Sequence, residues 1–169
     1  MDSTAARSDT ERRPVEIHPR ARRIDHLGVV VADVHEAARW WTDRLGLTLT
    51  HVADVLDGTI RLAYLDLGDT TIQLVEPLQD GAVRDWLDMH GEGLHHVCFL
   101  VEDLTRTLDA LDDRGQRFTY LGGRGANVCF IDEAPCGVIV ELTEPSDPAW
   151  SPGGSVPVLV TEPRRAQAS

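Results

Sequence analysis

The 169-residue chain contains no lysine; all sixteen of its basic residues are arginine. Set against 28 acidic residues, they leave a formal net charge of −12. Nucleic acid and anionic membrane surfaces are held through basic patches, so this balance excludes both as partners. The arginine-only usage reads as composition and carries no mechanism. Cysteine is scarce too. Cys98, Cys129 and Cys136 are odd in number and form no C-x-x-C pair. That excludes a disulfide framework and a Cys-rich zinc site, and it fits a reduced, cytoplasmic setting. No apolar run approaches the roughly 20 residues that span a bilayer. The first residues also lack the apolar stretch of a secretory signal, so export is not expected.

What is present is enough for one domain with a core, since 42% of the residues are apolar. Residues 1–22 are charged and Pro-punctuated, and 146–169 are rich in Pro, Gly and Ser. Both are expected to be flexible tails around a single domain at 23–145.

Inside that domain the sequence repeats itself, the signature of a duplicated module. Shifting "IDHLGVVVADV" (24–34) by 70 positions lands it on "LHHVCFLVEDL" (94–104), with His26 on His96 and Asp33 on Asp103. Each copy is followed by helical spacing: Val34, Ala37, Ala38, Trp41 and Leu45 in the first, Leu104, Leu108 and Leu111 in the second. Asp33 and Asp103 stand where N-caps belong, and Gly46 and Gly115 where the helices should stop. At the far end of each module, "IQLVEP" (72–77) shifted by 68 lands on "VELTEP" (140–145), placing Gln73 on Glu141 and Glu76 on Glu144. Two further strands fit between helix and last strand in both copies. The spacing therefore predicts an α+β fold of two tandem βαβββ modules, about 24–77 and 94–145. A linker at 78–93 carries a short helical pattern through Val83, Trp86 and Leu87. "GGRG" (122–125) lacks the ending of a phosphate loop and reads as a hairpin turn.

The repeat also aligns polar residues in strands that a core would otherwise bury. Alternation puts neighbouring strand residues on opposite faces, so His95 and His96 are expected to do different jobs. The repeat selects His96 as the partner of His26. Gln73 lies between Ile72 and Leu74, and Glu141 between Val140 and Leu142. Burying two imidazoles, an amide and a carboxylate without partners is costly. One divalent ion held by His26, Gln73, His96 and Glu141 would satisfy all four. A lone strand histidine is usually just a satisfied polar group; the joint placement of four carries the metal reading. Two nitrogens and two oxygens suit Mn²⁺, Co²⁺, Ni²⁺, Fe²⁺ or Zn²⁺, with Mg²⁺ less natural. Two coordination positions would stay open for a chelating substrate. His18, His35, His51 and His90 lack such placement and read as structural or surface residues.

Paired βαβββ modules with one ligand on the first and last strand of each resemble the vicinal oxygen chelate superfamily, which includes glyoxalase I, extradiol dioxygenases, bleomycin-binding proteins and methylmalonyl-CoA epimerases. The resemblance spans 24–145 and implies an open, barrel-like metal cleft. "IDHLGVVVADVHEA", "LGDTTIQLVEPL", "GEGLHHVCFLVEDL" and "CGVIVELTEP" most resemble methylmalonyl-CoA epimerases, whose His, Gln, His, Glu ligands fall on His26, Gln73, His96 and Glu141. The resemblance further implies that Glu141 lies beside the carbon that loses its proton, and that the protein is a homodimer. It implies a metal-dependent epimerase acting next to a carbonyl on a small substrate, with acyl-CoA esters among the candidates.

Two departures stand out. The stretch before the last strand, "IDEAPCG", lacks the His-Pro-Lys usual there, which bears on the coenzyme A handle. Arg61 stands near the place of a second carboxylate, which leaves the opposite acid/base unassigned. Epimerisation of another 2-substituted carbonyl compound, such as a cyclitol ketone, therefore stays open. So do glyoxalase-type lyase chemistry, extradiol dioxygenation and non-enzymatic sequestration. A fourth protein ligand argues against the dioxygenase, and retention of all four ligand types argues against sequestration.

Overall fold

The computed structural model describes residues 20–119 and 128–145. The predicted tails up to residue 19 and from 146, and the GGRG turn, lie outside the described residues. The first module runs β1 (Ala21–Val30), α1 (Val34–Leu45), β2 (Thr48–Val55), β3 (Ile60–Asp66) and β4 (Thr71–Pro77). Helix α2 (Ala82–His90) links it to β5 (Gly93–Val101), α3 (Leu104–Asp112), β6 (Phe118–Thr119), β7 (Val128–Ile131) and β8 (Val140–Thr143). Strand β1 begins inside the stretch read from sequence as tail.

All eight strands join one open, mixed sheet in the order β2-β3-β4-β1-β5-β8-β7-β6. The order within the second module mirrors that within the first, and the mirror line falls between β1 and β5. Those two central strands run antiparallel, whereas β1–β4 and β5–β8 are parallel. The duplicated sequence thus folds as a pseudo-twofold pair sharing one sheet, and the α+β expectation holds.

Alternation divides the sheet into two faces. On one, α1 lays Val34 and Ala38 against Ala63, Leu65, Ile72 and Leu74. There α3 likewise packs Leu104 and Leu108 against Val101, Cys129 and Leu142. Leu45, which helical spacing put on the packed stripe, is 56% exposed. It closes the last turn of α1, just before the chain reverses at Gly46. That glycine takes the left-handed conformation (φ 70°) in which its N–H reaches Thr42 O at 3.0 Å. The second helix stops sooner than Gly115 implied. It ends at Asp112, and Gly115 (φ 73°) closes the following turn by donating to Asp112 O at 2.8 Å.

Both predicted N-caps form. Asp33 Oδ1 accepts from His35 N and Glu36 N at 2.8 and 2.9 Å, and Asp103 Oδ1 accepts from Arg106 N at 2.9 Å. The repeated Glu-Pro at the module ends also finds its reason. Glu76 accepts from Val34 N at 3.1 Å, and Glu144 accepts from Leu104 N at 2.9 Å. Each module's last strand thereby places a carboxylate on the positive N-terminus of its own helix.

Candidate metal centre

The face opposite α1 and α3, the cleft face of the expected fold, carries the candidate site. Its upper part in the first module is apolar: Val30, Leu62, Tyr64 and Val75 pack against Leu87 of α2, with Val83 and Trp86 alongside. By alternation, the same face carries His26 and Gly28 of β1, Gln73 of β4, His96 of β5 and Glu141 of β8. All four polar residues are buried, with His26 at 1%, Gln73 and Glu141 at 5% and His96 at 6% exposure.

Three of them meet. His26 Nε2 lies 3.2 Å from His96 Nε2 and 3.2 Å from Glu141 Oε2, and His96 Nε2 lies 2.9 Å from the same oxygen. Two donors bound at about 2.1 Å and at right angles to one another sit about 3.0 Å apart. The three separations are therefore those of ligands around one small ion, and the donor set suits a divalent metal. Gln73 stays outside this hydrogen-bonded trio but borders it through backbone register: Gly28 pairs with Gln73 on one side and with His96 on the other. The His96 ring lies over Gly28 so closely that a Cβ there would stand 2.0 Å from His96 Cε1. Only glycine lets this imidazole cross β1 toward Gln73.

Each histidine is held from behind by the residue before it. His26 Nδ1–H donates to Asp25 Oδ2 at 3.0 Å, and His96 Nδ1 lies 2.8 Å from His95 Nδ1. With Nδ1–H as donor in both, both Nε2 lone pairs face the centre, the usual arrangement behind a metal-bound imidazole. A second group of possible ligands, Asp25, His26 and Cys98, also converges among the described residues. It shares His26, whose Nδ1 Asp25 already holds.

The position of His95 departs from the alternation argument. Gly28 pairs with His96 but Val29 pairs with Leu94, so His95 is the extra residue of a β-bulge. The bulge breaks the two-residue period and brings both imidazoles together; their rings meet edge to face at 5.1 Å. His95 also meets Trp86 at 5.1 Å, and Trp86 stacks on His90 at 4.8 Å. Sequence reasoning missed Asp25 and His95 as supports. The available signal was their shared place immediately before the two repeated histidines.

The electrostatics are those of a tightly coupled cluster. Burial disfavours a charged His26, yet hydrogen bonds and charges from Asp25 and Glu141 outweigh it and raise its pKa above 6.5. Burial would also raise Glu141, but His26 and His96 hold that carboxyl down to about 2. Glu141 is thus an anion at neutral pH, ready to ligate or to accept a proton. His95, desolvated and beside His96, is pushed down to about 4 and stays neutral.

Arg61 is not part of this site. It pairs across the sheet with Glu76, on the face away from the cleft, and its guanidinium makes a two-pronged ion pair with Asp54 at 2.7 and 3.1 Å. Of the histidines read as structural or surface, His90 stacks on Trp86, and His18 lies outside the described residues. His51, by contrast, stands on the cleft face, directly opposite Tyr64. Nothing in its local spacing reveals this, because it depends on which strand pairs with which.

Residues 25–131 match the family model of the glyoxalase/bleomycin resistance protein/dioxygenase superfamily. The chain belongs to that superfamily. Within it, the chain is 35% identical over 129 residues to an uncharacterized protein of Bacillus subtilis, YqjC, covering 73% of this chain and 92% of that one. The crystal structure of methylmalonyl-CoA epimerase from Mycobacterium tuberculosis superposes with a TM-score of 0.68 at 32% identity, over 75% of this chain and 90% of that one. A variant of Streptomyces coelicolor methylmalonyl-CoA epimerase, in complex with 2-nitronate-propionyl-CoA, superposes with a TM-score of 0.68 at 28% identity, over 76% and 100%. The chain is thus similar to methylmalonyl-CoA epimerases in sequence and in fold. No helix among its described residues is long and apolar enough to cross a membrane.

Proposed function

We propose that this superfamily member is a divalent-metal-dependent epimerase that inverts a carbon next to a carbonyl, with a 2-substituted acyl-CoA such as methylmalonyl-CoA as its substrate class. The observation that carries the reading is the buried meeting of His26, His96 and Glu141 at ligand-like separations. His26, His96, Glu141 and Gln73 would hold the ion, which could be Mn²⁺, Co²⁺, Ni²⁺, Fe²⁺ or Zn²⁺. When bound, the ion draws electron density from the substrate carbonyl and stabilises the enolate left by proton loss. Asp25 and His95 keep both imidazoles in the tautomer that faces the centre. Glu141, anionic and buried beside the centre, takes the proton from carbon. Tyr64 and Phe130, which pair with Gln73 and Glu141 across the sheet, border the site and help keep water out.

Support for the substrate class comes from the similarity to methylmalonyl-CoA epimerases and from the acyl-CoA analogue in the Streptomyces complex. The reading extends to a single domain at 23–145, a homodimer and a cytoplasmic setting. The test is deuterium exchange from D₂O into a panel of 2-substituted carbonyl compounds, methylmalonyl-CoA first, alongside metal analysis of the purified protein. About one divalent ion per chain, and exchange with inversion but no oxygen consumption, is the expected result. Oxygen uptake with a catechol and Fe²⁺ would move the protein to the dioxygenase branch.

A further inference from the structure

Inverting a carbon requires a proton to leave on one face and another to arrive on the opposite face. Glu141 serves only the side nearest the second module. Strand β3 supplies no free carboxylate on the cleft face to match it. Its cleft-facing residues there are Leu62 and Tyr64, Arg61 lies on the other face, and Asp66 at the strand end accepts from Gly68 N at 2.8 Å. The next strand outward does offer a proton-transfer group. We propose that His51 is the second catalytic residue, delivering and removing the proton on the face opposite Glu141; this rests on the epimerase reading above.

Register places His51 there. Strand pairing sets up one row across the cleft face, in which His51 faces Tyr64, Tyr64 faces Gln73, Gln73 faces Gly28 and Gly28 faces His96. His51 is two strand spacings of about 4.8 Å each from Gln73, a span that a small acyl group between ring and centre would fill. Glu141 stands on β8, one strand beyond His96, so the two groups lie on opposite sides of β1 and β5 across the sheet. The ring is fixed by stacking on Tyr64, with centroids 5.8 Å apart and planes 25° from parallel. Its Nε2 is the one buried side-chain nitrogen or oxygen among the described residues that has no hydrogen-bond partner. Buried polar atoms are almost always satisfied, and an exception asks for a reason such as catalysis or an absent ligand. The pseudo-twofold sharpens the point. The counterpart row of the second module is Thr119, Phe130 and Glu141. Each module would then supply one proton-transfer group, the first from its outer strand and the second from its inner one.

The step balances without any redox partner. The Glu141 carboxylate accepts the proton as the C–H bond breaks, and the electron pair passes into the carbonyl. Protonated His51 gives Nε2–H to the opposite face, forming the new C–H bond, and is left neutral with Nδ1–H. Solvent then removes the proton from Glu141 and restores one to His51. The other stereoisomer runs the same sequence in reverse.

The variant His51→Gln puts an amide near Nε2 that cannot carry a proton, and His51→Asn serves as a second version should the first fold poorly. Each stereoisomer of methylmalonyl-CoA is offered in D₂O, and exchange and inversion are followed separately. Inversion should fall about 10²–10⁴-fold. Exchange of the one stereoisomer that Glu141 deprotonates should stay within a few-fold of the parent, with metal content unchanged. Inversion at near the parent rate would overturn the role of His51. So would an equal fall of exchange in both stereoisomers, which marks a structural role, or loss of the metal. A parent protein that exchanges neither stereoisomer nor any other compound of the panel would overturn the epimerase reading itself, and the assignment of His51 with it.

Discussion

The two halves of this molecule share one sequence pattern and surround the candidate centre in different ways. Both place a histidine on the inner strand and an oxygen ligand candidate on the next. The first module offers neutral Gln73 and backs its histidine with the anion Asp25; the second offers anionic Glu141 and backs its histidine with neutral His95. Charge has been exchanged between the candidate ligand and the support. The strands differ as well. β2, β3 and β4 have eight, seven and seven residues, whereas β6, β7 and β8 have two, four and four. The first module is therefore the more continuous platform, and the second carries Glu141, the carboxylate proposed as the base.

The largest effect should come from breaking the ligand asymmetry. Glu141→Gln keeps an oxygen and nearly the same shape but cannot accept a proton at neutral pH. It should retain much of its metal while exchange falls about 10²–10⁴-fold. Metal analysis and deuterium exchange on one sample check this, and near-parent exchange would reduce Glu141 to a ligand. The converse change, Gln73→Glu, should bind metal at least as well and slow enolate formation, because a second anionic ligand lowers the charge left for the carbonyl.

The supports come next. Removing the group behind a metal-bound imidazole costs about 10–100-fold in affinity. Asp25→Ala should lie near the top of that range, since it removes a charged acceptor, and His95→Ala near the bottom. His26→Ala and His96→Ala should lose the ion outright. Competition with a metal-sensitive dye ranks the four, and equal losses for His95 and His96 would make His95 a ligand in its own right.

Smaller still are the helix locks that both modules share. Glu76→Ala and Glu144→Ala each remove an anion from a helix N-terminus, worth about 0.5–2 kcal/mol. Urea unfolding should register both to a similar degree, and a large difference would show that the two copies no longer share this device. The smallest effect is chemical. Cys98 and Cys129 are buried, and burial pushes the Cys129 thiol up to about 12, whereas Cys136 is exposed. A thiol reagent at neutral pH should label Cys136 alone until the chain is unfolded.

What the sequence determined by itself follows from local periodicity and from duplication. Alternation and helical spacing placed the eight strands and three α-helices but not the short 3-10 turn at Pro135–Gly137, the shift of 70 tied His26 to His96, and the shift of 68 tied Gln73 to Glu141. These readings work because one strand needs only its own pattern to declare which side it buries. Three features were decided only by tertiary structure. The bulge at His95 arises from how β5 pairs with β1, and it reverses the side that strict alternation assigns. The close passage of His96 over Gly28 gives a reason for that glycine that no turn or helix end explains. The presence of His51 on the cleft face depends on β2 lying in register with β3, four strands from β5. A strand's own residues fix its two faces, but which partner it meets, and where the period slips, is set by the packing of the whole sheet.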